Sequence, residues 1–326
     1  MKQKNLFVIN PKSFRRKNGQ ERFRSEVQGY FSAHGGDYSI EVSRFPRAAT
    51  GIIQRQAQQI PEDTKLRIFA VGGDGILFDC LNGMFGLDDV ELELGAIPYG
   101  NTNDFVSAFG KGKTALFRDI GKQVSGGVIP TDVIHGYSVY ALNVVTLGIE
   151  SAAIHNSVKF VRDNENVFRV PRWANRFSFI ATGMAALFDK AIRSQYYEIT
   201  TDEGEVFARR FVCVNIANGP CYGGNLTVNP AALPNDGYLD IVLGDDVGVL
   251  LDILRTAKFL RGDGVYGDPF TYRRVKSINI RSDQSLLINM DGESFFDTNM
   301  KFELLPKAIS FVAPDGIQYE QRVTLP

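Results

Sequence analysis

Cysteine is scarce in this chain of 326 residues. The three present, Cys80, Cys213 and Cys221, are odd in number and show no metal-ligand spacing. That argues against a disulfide framework or a cysteine metal centre and predicts reduced thiols in a cytoplasmic protein. Long apolar runs are missing too. No window comes near the ~20 apolar residues of a membrane span. The run Leu6-Phe7-Val8-Ile9, after Met1-Lys2-Gln3-Lys4, is too short for a signal peptide. Any membrane contact would therefore be made from the side. An excess of one charge is absent: Lys and Arg number 36, Asp and Glu 37, for a net charge of -1. That balance gives no reason to expect nucleic acid as a partner. Histidine is rare, and His34, His135 and His155 fall in no motif and are read as structural. No internal repeat or low-complexity stretch is found.

What is present is an ordinary globular composition, 44% hydrophobic and 22% charged. It allows a sizeable core, and the length suits about two domains. The first third alternates strand and helix signals. Strands are expected at Leu6 to Ile9, Tyr38 to Val42, Lys65 to Val71 and Leu94 to Ile97. Helices are expected at Glu21 to His34, where Phe23, Val27, Tyr30 and Phe31 share a face, at Ala48 to Ile60, and from Leu77. Asp104 to Phe109 reads as one or two helical turns. Such alternation predicts a parallel sheet with helices on its faces.

After about Asp132 strands dominate: Tyr137 to Thr146, Ser194 to Thr200, Val206 to Ala217, Tyr238 to Leu243, Ser277 to Ile280 and Ser285 to Asn289. Helices are expected at Phe177 to Lys190 and Val247 to Leu260. The turns carry Asp202-Glu203-Gly204, Asn218-Gly219-Pro220 and Asp236-Gly237. A mostly antiparallel, sandwich-like second domain is expected. The tail Ala308 to Ala313 is a further strand that returns to the first domain. The expected division is an α/β domain over 1–132, rejoined by 308–326, and a β-sandwich domain over 133–307.

Chemistry concentrates at strand ends. Phe69-Ala70-Val71-Gly72-Gly73-Asp74-Gly75 joins a strand to a helix start through glycines and one carboxylate. Glycines let backbone approach a phosphate, free N–H groups at a helix start point at it, and Asp74 can act through Mg²⁺. A tight turn without ligand is the plain alternative. Pro98-Tyr99-Gly100-Asn101-Thr102-Asn103-Asp104-Phe105 also follows a strand and offers amides, a hydroxyl and a second carboxylate, or a simple Asx-rich cap. Asn10-Pro11-Lys12-Ser13, followed by Arg15, Arg16 and Lys17, is a polyphosphate contact or a solvated basic loop. Met290-Asp291-Gly292-Glu293 sets two carboxylates around a glycine; one of them can take the proton of an attacking hydroxyl, while Asp-Gly is equally a hairpin turn. The stretch Asn225 to Asp240 holds carboxylates and carbonyls suited to Mg²⁺ or Ca²⁺, or to a plain hairpin.

Together these segments resemble the diacylglycerol kinase catalytic domain family, in particular its soluble bacterial lipid kinases. The family pattern Gly-Gly-Asp-Gly-Thr-x-x-Glu-x-x-Asn-Gly is echoed by Gly72 to Gly83, and Pro-x-Gly-Thr-x-Asn-Asp-Phe by Pro98 to Phe105. Gly223-Gly224, Pro230-Ala231, Asp236 to Asp240 and Asp291-Gly292-Glu293 match further on, so the likeness spans nearly the whole chain.

The resemblance implies an α/β nucleotide-binding domain of the NAD kinase and diacylglycerol kinase type, a β-sandwich lipid-substrate domain, and ATP bound at the cleft. It implies that Asn10, Ser13 and the loop Gly72, Gly73, Asp74, Gly75, Ile76, Leu77, Phe78 and Asp79 hold the phosphates, with Ser43, Gly100, Asn101, Thr102 and Asn103 near the nucleotide. Asp74, Asp104 and Asp132 would form an acidic network for Mg²⁺, and Asp236 with the carbonyls of Leu233 and Tyr238 a structural Mg²⁺ site. Glu293 would be the base, with Asp74 and Asp291 as its catalytic companions. Three departures stand out: Ile76 and Asn101 replace threonines, and Asp79 replaces glutamate, one methylene shorter.

The implied activity is transfer of the ATP γ-phosphate to a lipid hydroxyl, of diacylglycerol or a related lipid, in the cytoplasm at the inner face of an anionic membrane. The alternatives are an NAD kinase-like enzyme, whose downstream Asn-Glu pair is not evident here, and a nucleotide- or lipid-binding regulator with weakened catalysis. A homodimer is a compatible state that nothing in the sequence decides. The acyl- or membrane-facing surface is expected at Phe160, Val161, Val167, Phe168, Trp173, Phe177 and Phe179 beside Arg162, Arg169, Arg172 and Arg176, residues that also suit a core flanked by surface arginines.

Overall fold

The computed structural model describes residues 2–323 except 15, 17, 101, 111, 164–171, 225 and 250–269; for 160–163, 172–177 and 179 it describes backbone alone. The chain forms two compact units, Met1–Thr131 with Lys307–Glu320, and Asp132–Pro306 with Gln321–Pro326.

The first unit is an α/β layer structure. Its elements run β1 (Lys2–Ile9), α1 (Gly19–His34), β2 (Asp37–Val42), α2 (Ala48–Gln58), β3 (Thr64–Gly72), α3 (Asp74–Met84), β4 (Leu92–Pro98) and the short α4 (Ile120–Val124). The sheet order is β2-β1-β3-β4, all parallel, and the segment Ser310–Val312 adds a parallel edge to β4. Both faces are covered, so the central strands read as unbroken apolar runs rather than alternating ones. Phe7 and Phe69 pair in register and their rings stack at 4.9 Å. Phe23, Val27 and Phe31, three or four residues apart on α1, close over them. The expected helical turns at Asp104 are a 3-10 helix, Phe105–Phe109. The helix expected from Leu77 starts three residues earlier, so Asp74, Gly75 and Ile76 form its first turn.

The second unit is β-rich. In order it contains β5 (Gly127–Gly136), which begins in the first unit, β6 (Val139–Ala141), β7 (Val144–Gly148), α5 (Ile149–Asp163), α6 (Arg172–Phe188), α7 (Lys190–Arg193), β8 (Gln195–Thr201) and β9 (Val206–Ala217). Then follow β10 (Cys221–Tyr222), β11 (Leu226–Thr227), β12 (Leu239–Asp245), β13 (Phe270–Val275), β14 (Ser277–Met290) and β15 (Glu293–Ala313), whose last residues supply the edge beside β4. The antiparallel order is β13-β12-β9-β7-β14-β15. β9 and β14 each pair with β8 through their first halves and with β7 through their second, which folds the sheet into a sandwich-like closure. Val145, Leu147, Val214, Ile216, Ile288 and Met290 alternate onto the inner face and form the core.

Three expectations change here. Tyr137 to Thr146 is two strands, broken at Leu142-Asn143, and the two strands expected between Ser277 and Asn289 are one, with a register shift between Arg281 and Leu286. Helix α5 lies where no helix was expected. The helix expected at Val247 to Leu260 falls almost wholly outside the described residues. Among the described residues no helix is long and apolar enough to cross a membrane.

Candidate active site

The glycine turn is built by close approach. A Cβ on Gly72 would lie 2.7 Å from Ile76 Cγ2, 2.8 Å from Ser13 Oγ and 3.2 Å from Asn10 Cβ, so only glycine lets these groups meet at the end of β3. Asn10 Oδ1 accepts the Lys12 N–H at 3.0 Å and caps the turn Pro11–Ser13. Gly73 is the N-cap of α3 and contributes no side chain, leaving first-turn N–H groups without intrahelical partners. The second motif folds onto the first. The N–H groups of Tyr99 and Gly100 both donate to the Gly72 carbonyl at 2.8 Å. Asn103, at φ +53°, closes that loop by accepting the Gly100 N–H at 3.2 Å and donating to the Gly100 carbonyl at 3.0 Å. Thr102 Oγ1 donates to Asp74 Oδ2 at 2.7 Å and the Phe105 N–H to Asp74 Oδ1 at 3.3 Å. Asp74 is thus the point where the two motifs join.

The remaining residues of this half are placed as follows. Asp104 is buried at the start of the 3-10 helix. Ser43 is buried after β2, its N–H on the Ile9 carbonyl at 2.8 Å. Asp79 Oδ2 accepts the N–H of Arg47, which is left-handed at φ +62° and begins α2. That carboxylate therefore holds α2. The side chains of Ile76, Leu77 and Phe78 are core, and the Leu77 N–H already bonds the Gly73 carbonyl at 3.3 Å, so Leu77 presents no polar group of its own to a ligand. Asn101, Arg15 and Lys17 lie outside the described residues, as do the side chains of the expected acyl-facing segment other than in part its helix backbone.

In the second unit the hairpin Met290 to Glu293 turns through Asp291 at φ +47° and Gly292 at φ +100°, both left-handed as a type I′ turn requires. The Asp291 carboxylate accepts the N–H groups of Leu142 at 2.7 Å, Asn143 at 3.1 Å and Val144 at 2.8 Å. This explains the break between β6 and β7: three charge-assisted bonds engage the Asp291 oxygens there. Glu293 is half-buried opposite Met290 at the head of β15.

The profile of the diacylglycerol kinase catalytic domain matches residues 4–135, and that of the YegS C-terminal NAD kinase beta sandwich-like domain matches residues 154–313. The chain belongs to the diacylglycerol kinase catalytic domain family. A probable lipid kinase, YegS-like, from Shewanella frigidimarina is 28% identical over 258 residues, 76% of either chain. Its namesake from Pseudomonas putida is 28% identical over 257 residues, 76% of this chain and 77% of that one. The crystal structure of a diacylglycerol kinase from Bacillus anthracis has the same fold, with a TM-score of 0.72 at 22% identity over 95% of this chain and 96% of that one.

Two Mg²⁺ sites are expected from the sequence, and the residues answer differently. At the Asp236 turn they do not fit a cation. Asp236 Oδ2 is salt-bridged to Arg274 Nη2 and Oδ1 accepts the Tyr238 N–H at 3.2 Å. The Leu233 carbonyl accepts the Asn235 N–H at 2.8 Å, and the Arg274 guanidinium lies 4.4 Å over the Tyr238 ring. Among the described residues no group of three acidic, histidine or cysteine side chains could hold a metal ion. Asp132 is fully buried with its carboxylate on the Gly237 N–H at 2.7 Å, so it braces this turn. Burial raises Asp236 above the ordinary carboxylate range, with Arg274 pulling it back and Asp132 adding to the rise. Asp74 and Asp104, by contrast, suit Mg²⁺ held mainly by nucleotide phosphates, which needs only one or two carboxylates.

The sequence reading missed a buried polar row in this family member. Asn289, Thr146 and Asn215 are paired in register across β14, β7 and β9 and are buried. Glu150 of α5 lies against Asn215, its carboxyl pushed up to about 7 by burial against the pull of Tyr222 and Asn215. One polar residue inside each apolar strand, as in Ile288-Asn289-Met290, was the available signal.

Proposed function

We propose that this chain is an ATP- and Mg²⁺-dependent lipid kinase that transfers the γ-phosphate to a lipid hydroxyl, of diacylglycerol or a related lipid. The observation that carries the reading is the joining of the two glycine motifs at Asp74, at the uncapped start of α3. Backbone N–H groups there, with the Asn10 and Ser13 side chains beside Gly72, form a cradle for phosphate oxygens. Mg²⁺, held by Asp74 and Asp104, would neutralise charge on the phosphates. Glu293 takes the proton of the acceptor hydroxyl as that oxygen bonds the γ-phosphorus and the bond to the ADP oxygen breaks. Asp291 holds the hairpin that presents Glu293. The protein works in the cytoplasm, meeting its lipid at an anionic membrane surface.

One observation favours a second reading, a regulator with weakened catalysis. Ile76 packs its methyl group against Gly72, where the family has a threonine hydroxyl. Transfer of labelled γ-phosphate from Mg²⁺-ATP to a total lipid extract separates the two. A labelled lipid that disappears with Glu293→Gln supports the kinase; ATP binding without transfer to any lipid supports the regulator.

A further inference from the structure

The strand Leu286-Leu287-Ile288-Asn289-Met290 is apolar except for Asn289, which is fully buried. A buried amide is costly unless its groups are bonded, so its partners show what it does. Asn289 Oδ1 accepts the Gly292 N–H at 2.9 Å, and Nδ2 donates to Ser294 Oγ at 3.4 Å. Gly292 and Ser294 are the two chain neighbours of Glu293. One side-chain amide therefore holds the backbone N–H before that residue and the side-chain hydroxyl after it. Ser294 Oγ is bonded in turn to His155 Nδ1 of α5 at 3.0 Å. The His155 ring meets the exposed ring of Phe296 edge-on at 6.3 Å. The brace thus runs from α5 through Ser294 into β14, opposite the grip that Asp291 exerts on Leu142 to Val144.

We propose that Asn289, Ser294 and His155 are positioning residues that hold Glu293 at the reacting hydroxyl. The proposal rests on Glu293 being the base. A base must lie within hydrogen-bond reach of the proton it removes; Asp291 fixes the turn two residues before Glu293, and with no hold beyond it Glu293 would be free to swing. Fixing the residues before and after it removes that freedom without touching substrate. None of the three contacts is needed to close the hairpin, since the left-handed Asp291-Gly292 pair already does so. The brace is therefore expected to act on rate more than on stability.

The test compares wild type, Asn289→Ala, Ser294→Ala, Ser294→Thr, His155→Phe and Glu293→Gln for labelled phosphate transfer to a total lipid extract in detergent, with thermal melting alongside. Ser294→Ala and His155→Phe are expected to lower the apparent kcat by about 10-fold, and Asn289→Ala by up to about 100-fold, the scale of misplacing a reacting group by an ångström. KM for ATP should not change, and Ser294→Thr, which keeps the oxygen, should restore the rate. Normal kcat in folded Ser294→Ala and His155→Phe, with Glu293→Gln inactive, overturns the brace and leaves the base standing. Full activity of Glu293→Gln, or no transfer by wild type, overturns both. If Asn289→Ala does not fold, the Ser294 and His155 variants decide.

Discussion

The Glu150 carboxyl keeps its proton to a higher pH than an exposed glutamate does. Burial among Asn215 and Tyr222 pushes its carboxyl up to about 7, well above the 4.5 of an exposed glutamate. The neutral form is favoured in the fold, so its contribution to stability is complete below about pH 4.5. It is lost as pH rises through about 7, by on the order of 3 kcal/mol. Glu150→Gln is expected to flatten that decline and to raise the melting temperature at pH 8 but not at pH 4. Melting curves from pH 4 to 8 check this. Asp240, raised to about 6 by burial, supplies a smaller decline of the same sign that both proteins retain. At this scale the sequence was informative for the junction of Gly72, Gly100 and Asp74, because their spacing sits inside short motifs. It was silent on Glu150, whose partners lie 65 and 72 residues away on other strands.

At the scale of elements, β3 and β4 are tied beneath the glycine turn by a buried ion pair. Arg67 and Glu93 are both buried and bonded to each other, and Lys65 reaches Glu93 at 2.7 Å. Arg67 Nη1 also donates to the carbonyls of Val124 at 2.8 Å and Gly126 at 2.9 Å, just past α4, which fastens that helix end to the sheet. Glu93→Ala leaves a guanidinium buried without its counter-charge and is expected to destabilise by about 3–5 kcal/mol. Replacing Arg67 and Glu93 together with methionine should cost far less, and chemical denaturation of both variants tests the contrast. Element types in the first unit follow from local pattern: long apolar strands and a 3.6-residue stripe on α1. Pattern failed at Tyr137 to Thr146, where an aspartate 149 residues away pulls the backbone out of the ladder. It also failed at α5, whose start at Ile149-Glu150-Ser151 directly continues an apolar strand with no separating turn.

For the whole molecule, the first unit is not one contiguous segment. Phe311 and Val312 complete its core from the far end of the chain, Phe311 meeting Phe105 at 5.0 Å and Tyr319 stacking on Phe109 at 4.4 Å. A chain ending at Thr131 leaves β4 as a bare parallel edge and these aromatics uncovered, so it is expected to aggregate. Joining 307–320 to it should restore a folded unit, as read by amide dispersion in NMR spectra. The sequence by itself determined the alternation of long strands and helices in the first unit, the glycine motifs at strand ends and the family, because each is written in residues that are near neighbours in the chain. Only the tertiary structure decided that the Asp291 carboxylate takes the N–H groups of Leu142 to Val144, that Arg274 supplies the positive charge at Asp236, and that Asn289, Thr146 and Asn215 form one buried row. Those outcomes depend on which distant strands pair and in what register, and register is set by packing of whole faces, which no local spacing encodes.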